Sequence, residues 1–226
     1  MICTIGLEIE KIHVCSNDCI LYRGDKYKDL DACTRCKAPH YKQGPSNEVS
    51  KTRAGPVKVI LYFSIAPQVH RLFANAKSAK LLRWHGEERK KDTMMRHPAN
   101  GKDWRTINTI FYKNIGGEVR HLWFALSTDG MNPFDQVRSN HSTWPMMLCI
   151  YNHPPWVCMK RSYIQMPLLI QGPRQHGNDI DVFLEPVIDE LVEMFEKGVL
   201  DVWDEYKKEH VMIKAVLIAT IIDLPG

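Results

Sequence analysis

The sequence predicts a mixed α/β (α+β) protein in two parts, a small metal-stapled module in front and a larger sheet-and-helix body behind it. Three observations predict this. Four cysteines fall in two short pairs within residues 15–36. Apolar runs at 119–126, 146–151 and 164–170 are each closed by turn-forming residues, which marks short buried strands. A stretch of helical periodicity then leads into a β-branched run at 215–222.

The front module rests on spacing. Cys15 and Cys19 are separated by three residues, Cys33 and Cys36 by two. Two short pairs, each on its own turn, bring four thiolates to a tetrahedral centre without long-range folding. A segment this short buries little core, so a structural Zn2+ would supply its folding energy. Two disulfides, or unrelated free thiols, are the competing readings; a reducing compartment disfavours the first. His13 and His40 are candidate substitute ligands but are better read as surface residues. The boundaries follow: a four-cysteine zinc-binding-like module over 1–42, a Gly- and Pro-punctuated linker over 43–56, a basic strand–helix region over 57–110, and the main body over 111–226.

Charge divides along the same line. Residues 1–110 carry 20 Lys or Arg against 11 acids, a net +9, and residues 111–226 carry 10 against 15, a net −5. A basic front and an acidic rear suit a polyanion-contacting part beside a metal-binding part. Within the basic region, 57–65 predicts a strand stopped by Pro67. Val69, Leu72, Phe73 and Ala76 then fall at helical spacing, with Ser78 as cap of a second helical turn. Arg71, Lys77, Lys80, Arg83, Arg89, Lys90 and Lys91 form the opposite face. That face is either solvated or laid along a DNA backbone, each cation neutralising a phosphate. The segment through His97, Pro98 and Trp104 has no pattern that assigns it.

In the rear, Asp129 and Gly130 follow the first apolar run. A carboxylate released from a buried strand into a Gly-containing turn is either a turn cap or a rigidly held metal ligand. Pro186 suits the first turn of a helix whose apolar face is Val187, Ile188, Leu191, Met194 and Phe195. Glu190, Glu193 and Glu196 belong to its polar face. Val199, Val202, Trp203 and Tyr206 make a second amphipathic piece at helical spacing. Three strands, helical segments and a fourth strand are the opening order of an RNase H-like fold, whose first and fourth strands are neighbours. Adjacency would bring Asp129 and Asp223 together across 94 residues of sequence, able to bridge two Mg2+ ions roughly 3.5–4 Å apart.

No apolar run reaches the roughly 18 residues that span a bilayer, and the first residues lack a signal peptide's apolar core. A cytosolic or nuclear chain with no membrane partner is expected.

The blocks KIHVCSNDCILYRG with DACTRC, RLFANAKSAKLLRWH, LSTDGMNPF, NHSTWP, CIYNHPPW, PLLIQGP and GNDIDV resemble the transposase (tnp2-like) of plant CACTA-type (En/Spm) DNA transposons, over about residues 11–226. The resemblance implies a nuclear protein with a DDE-type, RNase H-like core that cleaves and joins DNA at transposon ends with divalent metal, Mg2+ or Mn2+. It maps Asp129 onto the family's first acid, Asp223 onto the second, and Cys15, Cys19, Cys33 and Cys36 onto its zinc-binding-like knuckle. Departures stand beside the matches. Ile222 replaces a usual Asn, Leu224 an aromatic, Gly226 an Ala and His176 a Pro. No residue matches the third acid, and the later core elements have no counterpart. The expectation is a C-terminally truncated, catalytically incomplete copy that contacts DNA and associates with itself or with full-length transposase. The alternative is a non-catalytic zinc-dependent module that binds DNA or a partner; a third reading is an unstable remnant whose open edge at 215–222 favours aggregation.

Overall fold

A computed structural model describes residues 9–42, 55–92, 94–111, 117–131, 142–172 and 180–222. The strands in chain order are β1 (Ile9–Val14), β2 (Lys58–Phe63), β3 (Leu122–Thr128), β4 (Trp144–Ile150), β5 (Gln165–Ile170), β6 (Val199–Asp204), β7 (Glu209–Ile213) and β8 (Ala215–Ile222). The helices are α1 (Gly24–Tyr27), α2 (Ile65–Phe73), α3 (Ala76–Leu82), α4 (Trp84–Glu87), α5 (Lys102–Ile110), α6 (Pro155–Cys158) and α7 (Ile180–Glu196).

Six strands form one sheet in the order β1-β2-β5-β4-β3-β8. The β3–β8 pair is parallel, and the other four neighbouring pairs are antiparallel. The five runs predicted as strands, 57–65 among them, all form strands. β3 is buried on both faces, as a central strand must be. Its alternation divides the core: Leu122, Phe124 and Leu126 join the large cluster with α2, α3 and α7. Trp123 joins a second cluster with Ala99, Trp104 and Val216. The unassigned segment is thereby explained. Residues 98–100 make a 3-10 turn and α5 follows, stacking Trp104 on Trp123 with ring centroids 4.0 Å apart.

Several expectations are corrected. The second amphipathic piece is a hairpin, β6–β7, in its own two-stranded sheet, not a helix. Gly198 breaks the chain at φ +80°. The Asp204 carboxylate then accepts the Tyr206 and Lys207 backbone N–H groups at 3.0 and 3.1 Å, making the turn. Pro186 lies well inside α7, because the helix is already formed at Ile180. Ser78 does not cap α3; the Asn75 side chain does, accepting from Lys77 N and Ser78 N at 3.0 and 3.1 Å. A strand before the first cysteine pair, β1, was not anticipated. Its pairing with β2 makes the front of the chain part of the main sheet.

Glu190 is also more than a polar-face residue. Its carboxylate accepts from Ile65 N, Ala66 N and the Ser64 hydroxyl at 2.6–2.9 Å, and from the Tyr62 hydroxyl. It caps α2 from another helix, placing negative charge where the helix leaves N–H groups unpaired. Burial and this carboxylate push the Tyr62 hydroxyl well above its usual pKa.

Candidate metal centre and strand-end acid

The two cysteine turns are built by the backbone. Asp18 N donates to Cys15 O at 2.9 Å and Cys15 N to Ile20 O at 3.0 Å. In the second turn, Lys37 N donates to Cys33 O at 2.9 Å and Cys33 N to Ala38 O at 2.8 Å. Asp18 and Lys37 sit at φ 59° and 63°, the left-handed conformations that let each turn close tightly around a thiol. The ligand atoms of Cys15, Cys19, Cys33 and Cys36 all lie within 4.8 Å of one another. With Zn–S bonds near about 2.3 Å, a tetrahedral centre needs sulfurs slightly under about 4 Å apart, so the cluster can hold a metal ion such as zinc.

Its surroundings support that role. Asn17 N donates to Cys15 Sγ and Asn17 Nδ2 to Cys36 Sγ, both at 3.4 Å. The Ala38 N–H, then the Asn17 amide, hold the Cys36 thiol down at about 6, so it is ready to bind as thiolate. Burial pushes Cys15 up, and burial with neighbouring thiols pushes Cys19 up to about 12. Cys15 and Cys33 are buried beside Ile20 and Tyr22. Thiols crowded in this way, with Cys15 and Cys19 pushed up by burial and neighbouring sulfurs, are an arrangement that a bound cation relieves.

His13 and His40 are not ligands in this arrangement, and His40 is buried, contrary to the surface reading. The His40 ring stacks on Tyr22 at 3.6 Å and its Nδ1 lies 2.7 Å from Leu30 O. With Nδ1–H donating to that carbonyl, Nε2 accepts from His13 Nδ1 at 2.9 Å. The module is fastened to the body at two more points. Lys58 of β2 pairs with Asp18 at 2.5 Å, and Arg23 reaches Glu185 and Asp189 of α7 at 3.3 and 2.8 Å.

At the far end of the sheet, Asp129 is exposed directly after β3. Gly130 is there because of a close approach: a Cβ would meet the Trp144 indole at 2.7 Å. Met131 and Thr143 exchange backbone hydrogen bonds at 2.8 Å in both directions, fixing the turn's base. The motifs LSTDG and STWP thus form one unit. Ile222, the last described residue of β8, pairs with Thr128; Asp223 lies outside the described residues. Among the described residues, the cysteines are the only group of three or more His, Cys, Asp or Glu side chains close enough to hold one ion.

The predicted basic face divides in two. Arg71, Lys77, Lys80, Lys90 and Lys91 are exposed. Arg83 is paired with Glu87 at 2.5 Å. Arg89 donates to His85 O and Ala99 O at 2.9 and 2.6 Å, which makes it a structural clamp. On the buried side of this segment, Asn152 of the CIYNHPPW block accepts from Trp123 N at 2.8 Å. It also donates to His121 O at 2.7 Å and contacts His85 Nδ1 at 3.3 Å. That block therefore aligns β3 with the basic segment.

The described residues thus combine a mixed α/β sheet containing one parallel pair, an exposed acid at the end of a strand of that pair, and a four-thiol turn unit. Residues 92–226 match the transposase family tnp2, and the chain belongs to that family. No curated protein and no solved structure gives a significant match. In the described residues no helix is long and apolar enough to cross a membrane.

Proposed function

We propose that this chain is a DNA-handling protein of the CACTA (En/Spm) type of cut-and-paste transposon, with an RNase H-like, DDE-type core and a zinc-bound front module. Its substrate is DNA at transposon ends, and its place of action is the nucleus. The single observation that carries the core reading is the strand order β5-β4-β3-β8 with β3 and β8 parallel. This is the first-to-fourth strand adjacency that such a core requires. The last paired residues, Thr128 and Ile222, each immediately precede one of the two acids, Asp129 and Asp223. Neighbouring strands lie about 4.8 Å apart, a separation that lets two such carboxylates share an ion.

Asp129 and Asp223 would hold Mg2+ or Mn2+, which when bound activates the attacking oxygen and stabilises the leaving oxygen of a phosphodiester. The protein's part is rigidity. The close approach of Gly130 to Trp144 and the Met131–Thr143 bridge hold residues 130–131 against the start of β4, so the Asp129 carboxylate would need little ordering when the ion arrives. The front cysteines would hold Zn2+ as a structural ion. The exposed cations Arg71, Lys77, Lys80, Lys90 and Lys91 would position duplex DNA through its phosphates. The protein would act in assemblies with itself or with other transposase copies.

Mn2+ binding to the zinc-loaded chain, followed by electron paramagnetic resonance, tests the acid pair without relying on activity. We expect Asp129→Asn and Asp223→Asn each to weaken it at least about tenfold with zinc content unchanged. Equal Mn2+ binding by the parent and both variants would falsify the paired-acid reading and favour the non-catalytic zinc-dependent binding module.

A further inference from the structure

Trp156 is 62% exposed, so at least one face of its indole is open to solvent. It is also held firmly. Pro154 and Pro155 set the entry to α6, with Pro155 at its first position. The Trp156 ring meets Trp84 edge to face at 5.9 Å and 76°. Trp84 in turn meets His97 at 5.2 Å and 80°, and His97 meets Tyr151 at 5.8 Å and 88°. Four rings in series, the inner ones packed against the core, fix an outer ring whose face stays free.

The space beside that ring is a cleft of about 270 Å³ whose lining includes Trp84, Trp156, Pro155 and Asn100. Its charge favours an anion. Its lining carries three cations, Arg89, Lys90 and Arg96, against the single carboxylate of Glu88. Arg96 is balanced by Asp92 at 2.5 Å, and Lys90 has no ion pair among the described residues. A free indole face bordered by ammonium and guanidinium groups is the combination that binds a planar ring carrying a phosphate. In a duplex the base faces are already covered by stacking, whereas an unpaired nucleotide offers both a face and a phosphate. The volume falls just under the range of about 300–1,000 Å³ usual for larger organic ligands, which suits one base.

We propose that the cleft beside Trp156 takes the base of an unpaired DNA nucleotide, its phosphate neutralised by Lys90. The site is separate from Asp129. Ile150 pairs with Phe124 near the start of β3, so the chain leaves β4 toward α6 at the end of β3 opposite the acid. The inference rests on the reading that this protein handles DNA. It adds a second point of contact, one that grips single-stranded character.

The test uses the zinc-loaded 226-residue chain, a fluorescein-labelled single strand of mixed sequence about 12 nucleotides long, within the usual site sizes, and the corresponding blunt duplex. The single strand should quench tryptophan fluorescence. Trp156→Ala should abolish most of the quenching and weaken single-strand binding by about tenfold or more, leaving duplex binding within about twofold. Trp156→Phe, which keeps a stacking ring, should retain most of the affinity. Lys90→Gln should reduce the salt dependence of single-strand binding. If duplex binds but Trp156→Ala leaves single-strand binding unchanged, or lowers both forms equally, the cleft assignment fails and the DNA-handling reading survives. If no form of DNA binds, both fail. A dimer seen by sedimentation that Trp156→Ala dissolves, without single-strand binding, would overturn it in favour of a second copy on this face.

Discussion

The four cysteines and Asp129 are placed by opposite means. Each thiol is held by a turn of a few residues, and the whole set spans only residues 15–36. Asp129 owes its position to a strand whose neighbours come from β4 and, across some 90 residues of sequence, β8. A local site pays little loop-closure entropy but has little core to support it, so it is expected to depend on an ion. A site at the end of paired strands inherits the rigidity of the core and needs no ligand to exist. The two should therefore fail differently.

The largest effect is expected from removing the metal. Structural zinc is worth about 10–16 kcal/mol in zinc-finger peptides, and Cys33 is buried. Cys33→Ser, or chelation, should release one equivalent of zinc, measurable by atomic absorption. Amide exchange should accelerate over residues 15–40 while β3 and β4 stay protected. Equal acceleration in both regions would mean that the local and long-range parts are one cooperative unit.

Next comes the ionic tie of the long-range part. Arg120 reaches Glu118, Asp204 and Glu209 at 2.8, 3.3 and 2.6 Å, and Asp204 is wholly buried. Glu118 and Glu209 hold the guanidinium pKa above its usual value. Arg120→Ala leaves Asp204 without its cationic partner in the interior, at a cost of about 3–5 kcal/mol. Urea unfolding should show that loss with zinc still bound.

A smaller effect belongs to His153, which is wholly buried, with no hydrogen-bond partner for either ring nitrogen among the described residues. Burial lowers its pKa from 6.5 to about 4. The unfolded chain binds the proton first, so the His153 contribution is present in full above pH 6.5. It is lost progressively as the pH falls from 6.5 toward 4. His153→Leu should add about 1–3 kcal/mol at neutral pH and flatten the acid limb of a stability-against-pH curve. An unchanged acid limb would show that His85, His97 and His121, also lowered to about 4 by burial, govern it instead.

The smallest effect on stability should be at Asp129 itself. Its side chain is exposed, and Asp129→Asn should change the unfolding free energy by less than about 0.5 kcal/mol while removing Mn2+ binding. A large loss of stability would mean that the carboxylate is a turn cap after all.

What was legible in the sequence follows the same division. Cysteine spacing disclosed the thiol cluster because its geometry is local. The strands at β3, β4, β5 and β8 were legible because each is a short apolar run bounded by turn residues. The β6–β7 hairpin was not, since Val199, Val202, Trp203 and Tyr206 fall at helical intervals. The alternative is decided by the Asp204 turn and by left-handed residues at Asp201 and Lys208. Glu190 could not be read as a helix cap, because its partners at Ile65 and Ala66 come from more than 120 residues earlier. His40 looked like a surface residue because nothing near it in sequence announces the Tyr22 ring that covers it. Gly130 has a similar lesson: its reason is the Trp144 indole, 14 residues away in sequence.

The cysteine module lies between the two strands of one hairpin, since β1 ends at Val14 and β2 begins at Lys58. Seen this way, it is the clasp of a long loop at the rim of the sheet. An ion in that clasp would return β1 to β2 at little entropic cost and cover its hydrogen-bonding edge. Withdrawal of such an ion would let β1 peel away and make β2 the edge strand, open to pairing with other chains. Metal supply would then govern the solubility of the protein as well as the shape of its front.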